Sequence, residues 1–115
     1  MYYRKETVKH GEGFNDQVTG PSAELVAVFR AYHNDNRIVK DTRKITDDFN
    51  ATDCVIYKDK ATMDAYDAEI NALTGEGKTW GSGISFFSEA QGEISDLSDS
   101  AVSEFDWSKK SHFFE

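Results

Sequence analysis

Residues 52–73, TDCVIYKDKATMDAYDAEINAL, decide the fold because they place a strand directly before an amphipathic helix. Residues 53–57 (DCVIY) are rich in β-branched and aromatic side chains and predict the strand. The helix is predicted from apolar side chains that recur every three or four residues, namely Met63, Tyr66, Ile70 and Leu73. Thr62 is predicted to cap this helix through its hydroxyl, and Gly75 to end it.

The rest of the chain predicts three more strands and one more helix. The strands are expected where β-branched or aromatic residues recur, at residues 2–10, 37–46 and 84–88. The charged and β-branched residues 37–46 predict either a strand with one solvent-facing side or an edge strand protected by its lysines and arginines. Ser22 is predicted to cap a helix over residues 23–32, which are apolar nearly all round and so predict burial on more than one side. Glycine-rich loops are expected at residues 11–20 and 75–83.

These elements run in the order β-α-β-β-α-β, which predicts an α+β domain over residues 1–88. The order is typical of a ferredoxin-like, split βαβ sandwich. Both helices would then cover one face of the sheet. A second copy of the chain is expected to cover the other face, so a homodimer is predicted.

Residues 89–115 are predicted to form a separate acidic extension. Residues 89–106 hold six acids and no base, and their apolar residues recur at helical spacing, which predicts a marginal helix. Four aromatic residues at the end of the chain would not readily be left in water. The candidate partner-binding residues of this extension are Phe105, Trp107, Phe113, Phe114, Glu93, Asp96 and Asp99.

Composition restricts the classes of partner. The 115 residues have a net charge of −8, and residues 61–115 carry the whole excess. An acidic chain is not expected to bind nucleic acid directly or to bind an anionic membrane, although it can bind a basic protein partner. Cys54 is the one cysteine and is predicted to be a small buried apolar residue. Residues 1–10 have no apolar signal-peptide core, so a cytoplasmic location is expected.

No set of residues predicts catalysis, a cofactor or a metal. Residues 72–79 (ALTGEGKT) loosely resemble a phosphate-binding loop, but such a loop must follow a strand and open a helix, and here it follows a helix. The three histidines lie too far apart in sequence for a zinc motif. If a pocket lies between the sheet and the helices, the candidate residues are His33, Tyr32 and Tyr66.

Residues 45–50 (ITDDFN) and 57–66 (YKDKATMDAY) resemble the strand, acidic turn and helix of the small dimeric α+β barrel proteins. The chain is also similar in style to small acidic proteins of tailed bacteriophages, especially those that infect marine cyanobacteria. The barrel resemblance implies a ferredoxin-like fold paired sheet to sheet. Some members of that superfamily are cofactor-free monooxygenases or isomerases with a pocket between sheet and helices, but no catalytic residue can be transferred to this chain.

Three functions follow as hypotheses. The first is a small, acidic, homodimeric protein that binds another protein without catalysis, as a phage accessory factor would. The second is a cofactor-free small-molecule enzyme of the dimeric barrel type. The third is an acidic mimic of nucleic acid that blocks a DNA-binding protein with the carboxylates of residues 89–106. A structure without a cavity of roughly 300 Å³ beneath the helices would make the second unlikely.

Overall fold

The computed structural model describes residues 1–9, 22–47, 49–73 and 84–108. It contains strands β1 (Tyr2–Lys9), β2 (Ile38–Ile45), β3 (Asn50–Tyr57) and β4 (Ser85–Glu93), and helices α1 (Ala23–Asn34) and α2 (Lys60–Ala72). The predicted α+β class is confirmed. The predicted loops at residues 11–20 and 75–83 lie outside the described residues, as does most of the phosphate-loop-like stretch. In the described part of the chain, no helix has the length and apolar character needed to cross a membrane.

The four strands form one antiparallel sheet in the order β2-β3-β1-β4. The edge position predicted for β2 is confirmed, and lysines and arginines on an edge strand disfavour pairing with a strand of another molecule. Strand β1 lies in the centre and pairs along its whole length with β3 and with β4. Because side chains alternate along a strand, one face of the sheet collects Tyr2, Arg4 and Glu6, and the other collects Tyr3 and Lys5.

Helix α1 begins as the sequence predicts and is buried on one side only. The Leu25 amide donates to Ser22 Oγ at 3.3 Å, which satisfies one of the unpaired amides of the first turn. Its buried residues are Leu25, Phe29 and Tyr32, a single stripe facing the sheet. The predicted burial on more than one side is wrong, because the remaining apolar positions are largely alanines that the fold leaves exposed or half-exposed.

Helix α2 begins earlier than predicted. Asp59, rather than Thr62, is its N-cap, and the Asp59 carboxylate accepts from the Thr62 amide and from the Thr62 hydroxyl, both at 2.7 Å. A carboxylate at this position takes over the role predicted for the hydroxyl. The predicted stripe is confirmed for Met63, Tyr66 and Ile70, which are buried, whereas Leu73 lies just past the helix and is partly buried. The predicted helix end at Gly75 lies outside the described residues. The helix ends at Ala72, and Leu73 is already extended.

The main core lies between the two helices and the sheet. Tyr66 is at its centre, with its ring 5.2 Å from the ring of Tyr32 and 5.9 Å from that of Tyr57. Leu25, Phe29 and other buried side chains of both helices complete this core. Edge-to-face aromatic contacts of this kind add to the area that the rings bury.

The opposite face of the sheet is covered by residues 94–108 of the same chain. The predicted helix over residues 89–106 is wrong, because residues 89–93 complete β4 and those that follow form turns. Ala90 and Gly92 pair with β1, and Gly92 has a low helix propensity. Beyond the strand, Ile94, Val102 and Phe105 pack with the fully buried Cys54 and Ile56, while Leu97, Ala101 and Trp107 lie at the margin of this cluster.

Candidate functional site

A cavity of about 220 Å³ lies between the helices and the sheet. Its apolar wall comes from both helices and from two strands, through Phe29, Val55, Tyr66, Ile70 and Phe86. Its charged wall consists of Arg4, Glu6, Asp41, Arg43, Asp53 and Asp67. An apolar cavity with a few converging polar groups is the usual form of a small-molecule site, although this one is smaller than the roughly 300 Å³ of a typical ligand pocket.

The alternation of the strands brings the charged residues under the helices. Tyr2, Arg4, Glu6 and Val8 occupy alternate positions of β1 and share its helix-facing side. Arg4 lies opposite Val55 of β3, and Glu6 lies opposite Asp53. The charges thus lie in the middle of the sheet, with large apolar residues at either end.

Arg4 joins β1 to α2 and to β3. One terminal nitrogen donates to Asp67 Oδ2 at 2.7 Å, and the other donates to the Tyr57 hydroxyl at 2.9 Å. Burial lowers the pKa of Arg4, but the hydrogen bond to Asp67 and the neighbouring negative charge raise it further, so the guanidinium stays charged. The same burial raises the pKa of Tyr57, which therefore stays a neutral hydroxyl.

Arg43 and Asp53 form a two-point ion pair between β2 and β3. Arg43 Nε donates to Asp53 Oδ1 at 2.7 Å, and a terminal nitrogen donates to Oδ2 at 3.0 Å. Both oxygens of the Asp53 carboxylate are therefore engaged. Paired and bidentate contacts of this kind are the strongest ionic hydrogen bonds in proteins.

Glu6 is the cavity carboxyl that lies beside Arg4 on the same strand. Its one ion-pair contact among the described residues is Arg4 Nε at 3.4 Å from Glu6 Oε1. That nitrogen is buried and makes no hydrogen bond to the described part of the chain. Burial raises the pKa of Glu6, while Arg4 lowers it and Asp53 raises it. A carboxyl beside a cavity whose pKa is raised holds its proton more readily than an exposed carboxyl does.

Asp41 and His33 make a second polar pair at the pocket. Asp41 is only 3% exposed, and its Oδ1 lies 3.0 Å from His33 Nε2. The His33 ring also packs at a tilt of 60° against Phe29, with the ring centroids 4.7 Å apart. A buried carboxylate held by an imidazole orients the ring and supplies negative charge to the cavity wall.

The residues predicted for a pocket divide between the cavity and its surroundings. Tyr66 lines the cavity, and burial raises the pKa of its hydroxyl. His33 reaches the cavity through Asp41. Tyr32 is not among the residues that line it, because its hydroxyl donates to Glu69 and the Arg37 guanidinium lies 3.7 Å over its ring. Burial and the bond to Glu69 raise the pKa of Tyr32 to about 12.

The predicted partner-binding residues lie apart from the cavity. Phe105 is 6% exposed, and the Trp107 indole donates to the Val102 carbonyl at 3.0 Å, so both belong to the cover of the sheet. The side chains of Glu93 and Asp96 are exposed, and that of Asp99 is half-exposed. Phe113 and Phe114 lie outside the described residues.

The acidic side chains of residues 89–106 do not all point into solvent. Glu104 accepts from Lys5 Nζ at 3.0 Å and lies 3.8 Å from Lys44 Nζ, so it holds the cover to the sheet. Lys5 accordingly holds the pKa of Glu104 below its usual range. A mimic of nucleic acid would need such carboxylates free, and this one is engaged within the fold.

Sequence reasoning missed most of the cavity wall, including Arg4, Glu6 and Asp67. The signal was present in the alternation of residues 2–8, where two charged residues share a side with two apolar ones. Charged residues in a strand are usually assigned to the solvent face. Among the described residues, no cluster of three or more His, Cys, Asp or Glu is arranged to hold a metal ion.

No protein-family model, curated protein or solved structure matches this chain. The function is therefore argued from the geometry of the cavity.

Proposed function

We propose that this protein binds a small molecule in the cavity between its helices and its sheet. The observation that carries the proposal is the charged wall of that cavity. Burying ion pairs costs more free energy than burying apolar groups of the same volume, so a core without a polar ligand would be expected to be apolar. Here two arginines and four acids surround a space, next to rings and aliphatic side chains.

The fold type that we propose is consistent with a ligand site between the helices and the sheet. We propose a ferredoxin-like arrangement, supported by the element order β-α-β-β-α-β and by the strand order β2-β3-β1-β4. The resemblance to small dimeric α+β barrel proteins implies a pocket at the same place. A cofactor-free enzyme of that kind would use Glu6 as its proton acceptor or donor, since Glu6 is the carboxyl whose pKa burial raises.

A fragment screen with one blocking variant tests the proposal. Asn71 lies at the cavity on the exposed side of α2, and Ala68 is exposed on the same helix without lining the cavity. We expect fragments found by NMR to bind the parent protein and Ala68→Trp, but not Asn71→Trp, whose indole would occupy the entrance. Binding that survives Asn71→Trp, or a library without any binder, would contradict the proposal.

Protein binding is the second candidate, and it uses a different surface. Glu93 and Asp96 are exposed at the end of β4 and at the start of the cover, where a basic partner could reach them. A double charge reversal, Glu93→Lys with Asp96→Lys, should weaken capture of such a partner, while Asp64→Lys on α2 should not. Equal capture by both variants would count against this surface.

A further inference from the structure

We infer that the cavity selects a small organic cation, an amine or amidine carried on an apolar body, with Glu6 as its counter-ion. The inference rests on the proposed function and names the class of ligand for the same site. It follows from which charges of the wall are already engaged, from the sign of the remaining charge, and from the apolar surface beside it.

The arginines are poorly placed to receive an anion. Arg43 already makes two bonds to Asp53, and the terminal nitrogens of Arg4 donate to Asp67 and to the Tyr57 hydroxyl. The remaining Arg4 nitrogen, Nε, is buried from the cavity. An anionic ligand would compete with Asp67 and Asp53 for these guanidiniums, and weakening either pair would cost free energy.

The charge of the wall is negative. Four carboxyl groups face two guanidinium groups, and both guanidiniums are matched by Asp67 and Asp53. The last turn of α2 also lies at the cavity through Ile70 and Asn71. The carboxyl end of a helix carries partial negative charge, and this last turn contains no basic residue. Both features favour a positive ligand.

Glu6 is the group that can meet the cation. Its ion-pair partner among the described residues is Arg4, whose Nε lies 3.4 Å from Glu6 Oε1. Asp41 supplies further negative charge on the same wall and is held by His33. A cation that reaches Glu6 would therefore gain a charge-assisted hydrogen bond without breaking either arginine pair.

The rest of the wall fits an apolar body. Phe29 and Tyr66 present aromatic rings, and Ile70 and Val55 present aliphatic surface. Rings beside a desolvated cation attract it electrostatically. A cavity of about 220 Å³ corresponds to roughly seven waters at liquid density, which suits one ring with a short charged arm.

Proton linkage distinguishes this ligand from others. The charged and titratable groups that share the cavity with Glu6 come from each element packed against it. They are Arg4 of β1, Asp53 and Tyr57 of β3, Asp41 and Arg43 of β2, and Asp67 and Tyr66 of α2, with His33 of α1 bonded to Asp41. Strand β4 places Ser88 opposite Glu6 and Phe86 at the cavity, and neither titrates. Because burial raises the pKa of Glu6, a cation should bind more tightly as the pH rises and should release a proton on binding.

Three ligands with one ring give the test. Benzylamine, benzyl alcohol and benzoate would be titrated by calorimetry and by NMR into the full chain between about pH 5 and pH 7, where alkyl amines, with pKa values of roughly 10, stay charged. We expect benzylamine to bind most tightly, to tighten with pH, and to lose roughly tenfold or more of its affinity in Glu6→Gln. The matched carboxyl variant Glu93→Gln, outside the cavity, should bind as the parent does.

The contrary results separate the two proposals. Tighter binding of benzoate, or benzylamine binding that Glu6→Gln leaves unchanged, would overturn the cation inference while leaving a site that Asn71→Trp blocks. Failure of all three probes while a screened fragment binds the cavity would also overturn it. Failure of the probes and of every fragment would overturn the proposed function as well. Glu6→Asp keeps the negative charge and controls for a folding defect in Glu6→Gln. Its affinity for benzylamine should retain part of the pH dependence.

Discussion

Single residues show how this sheet holds charge under its helices. Arg4 reaches an acid on α2 and a hydroxyl on β3, and Asp67 and Tyr57 each meet it with an oxygen within 2.9 Å. Its guanidinium also lies 5.4 Å from the centroid of the Tyr57 ring. Arg4 therefore links β1, β3 and α2 and also lines the cavity.

Arg4→Met is expected to lower the free energy of unfolding by about 2 kcal/mol, because it leaves Asp67 and the Tyr57 hydroxyl without their donor. Urea denaturation followed by circular dichroism measures the change. Lys60→Met breaks an exposed ion pair with Asp64 and serves as the control, with an effect too small to resolve. Equal effects of the two substitutions would contradict the importance given to the Arg4 contacts.

Cys54 is expected to be chemically inert in the folded protein. It is fully buried, as the sequence predicts, and burial raises its pKa to about 12. At about pH 8 the thiolate fraction would be on the order of one in ten thousand, and the thiolate is the reactive form. A thiol reagent such as DTNB should react slowly in buffer and rapidly in concentrated urea. Fast modification of the native protein would show that the cover of residues 94–108 opens readily.

At the scale of elements, the sequence predicts helices better than the ends of strands. The stripe of Met63, Tyr66 and Ile70 identifies α2, because a helix reports its buried face through local spacing. Strand β4 was predicted to end at Ser88, but it continues to Glu93. The residues that decide this lie on β1, more than eighty positions away in sequence. Local spacing contains no information about a distant strand partner, so the helical spacing of the apolar residues between 90 and 105 predicts a helix that does not form.

The cap of α2 gives a prediction with a definite pH dependence. The hydrogen bonds from Thr62 hold the pKa of Asp59 below its usual range. Stabilisation by a carboxylate with a lowered pKa is present above the usual aspartate pKa of roughly 3.9 and is lost as the pH falls through the lowered value.

Asp59→Ala should therefore lower the urea midpoint at about pH 7, and its difference from the parent should shrink below about pH 3. Asp59→Asn, which keeps a capping oxygen without the charge, should lose less at neutral pH. A difference that stays constant down to acid pH would contradict Asp59 as the cap.

The cover of residues 94–108 gives the second prediction for elements. Phe105→Ala should cost about 3 kcal/mol, because the ring is 6% exposed and its removal leaves a cavity against Cys54 and Ile56. Phe87→Ala is the matched control, since that ring is 51% exposed. Thermal and urea unfolding measure both. Similar losses for the two variants would show that the cover contributes little to the stability of the fold.

At the scale of the whole molecule, the two faces of the sheet are covered by different segments. Only the helix layer on one face could be predicted from the sequence. The sequence predicts helices over one face, and the place of a pocket beneath them follows from that layer. The wall of the pocket does not follow, because Arg4, Asp53 and Asp67 become neighbours only through strand pairing and helix packing. The cover of the other face could not be predicted either, because the apolar residues of this segment recur at helical spacing although residues 94–108 form turns.

The oligomeric state depends on that covered face. A homodimer paired sheet to sheet was predicted from the sequence, but Val102, Phe105 and Trp107 now occupy part of the surface that a second copy would need. We expect light scattering of the full chain to give the mass of a monomer, 13.0 kDa. A dimer would have to use another surface, and Phe87, exposed beside Lys9, is the large apolar residue left on that face of the sheet. If a dimer is found, Phe87→Glu tests this surface: dissociation would place the interface beside the cover. A dimer that resists the substitution would point to β2 and β4, the outer strands of the sheet in the described part of the chain.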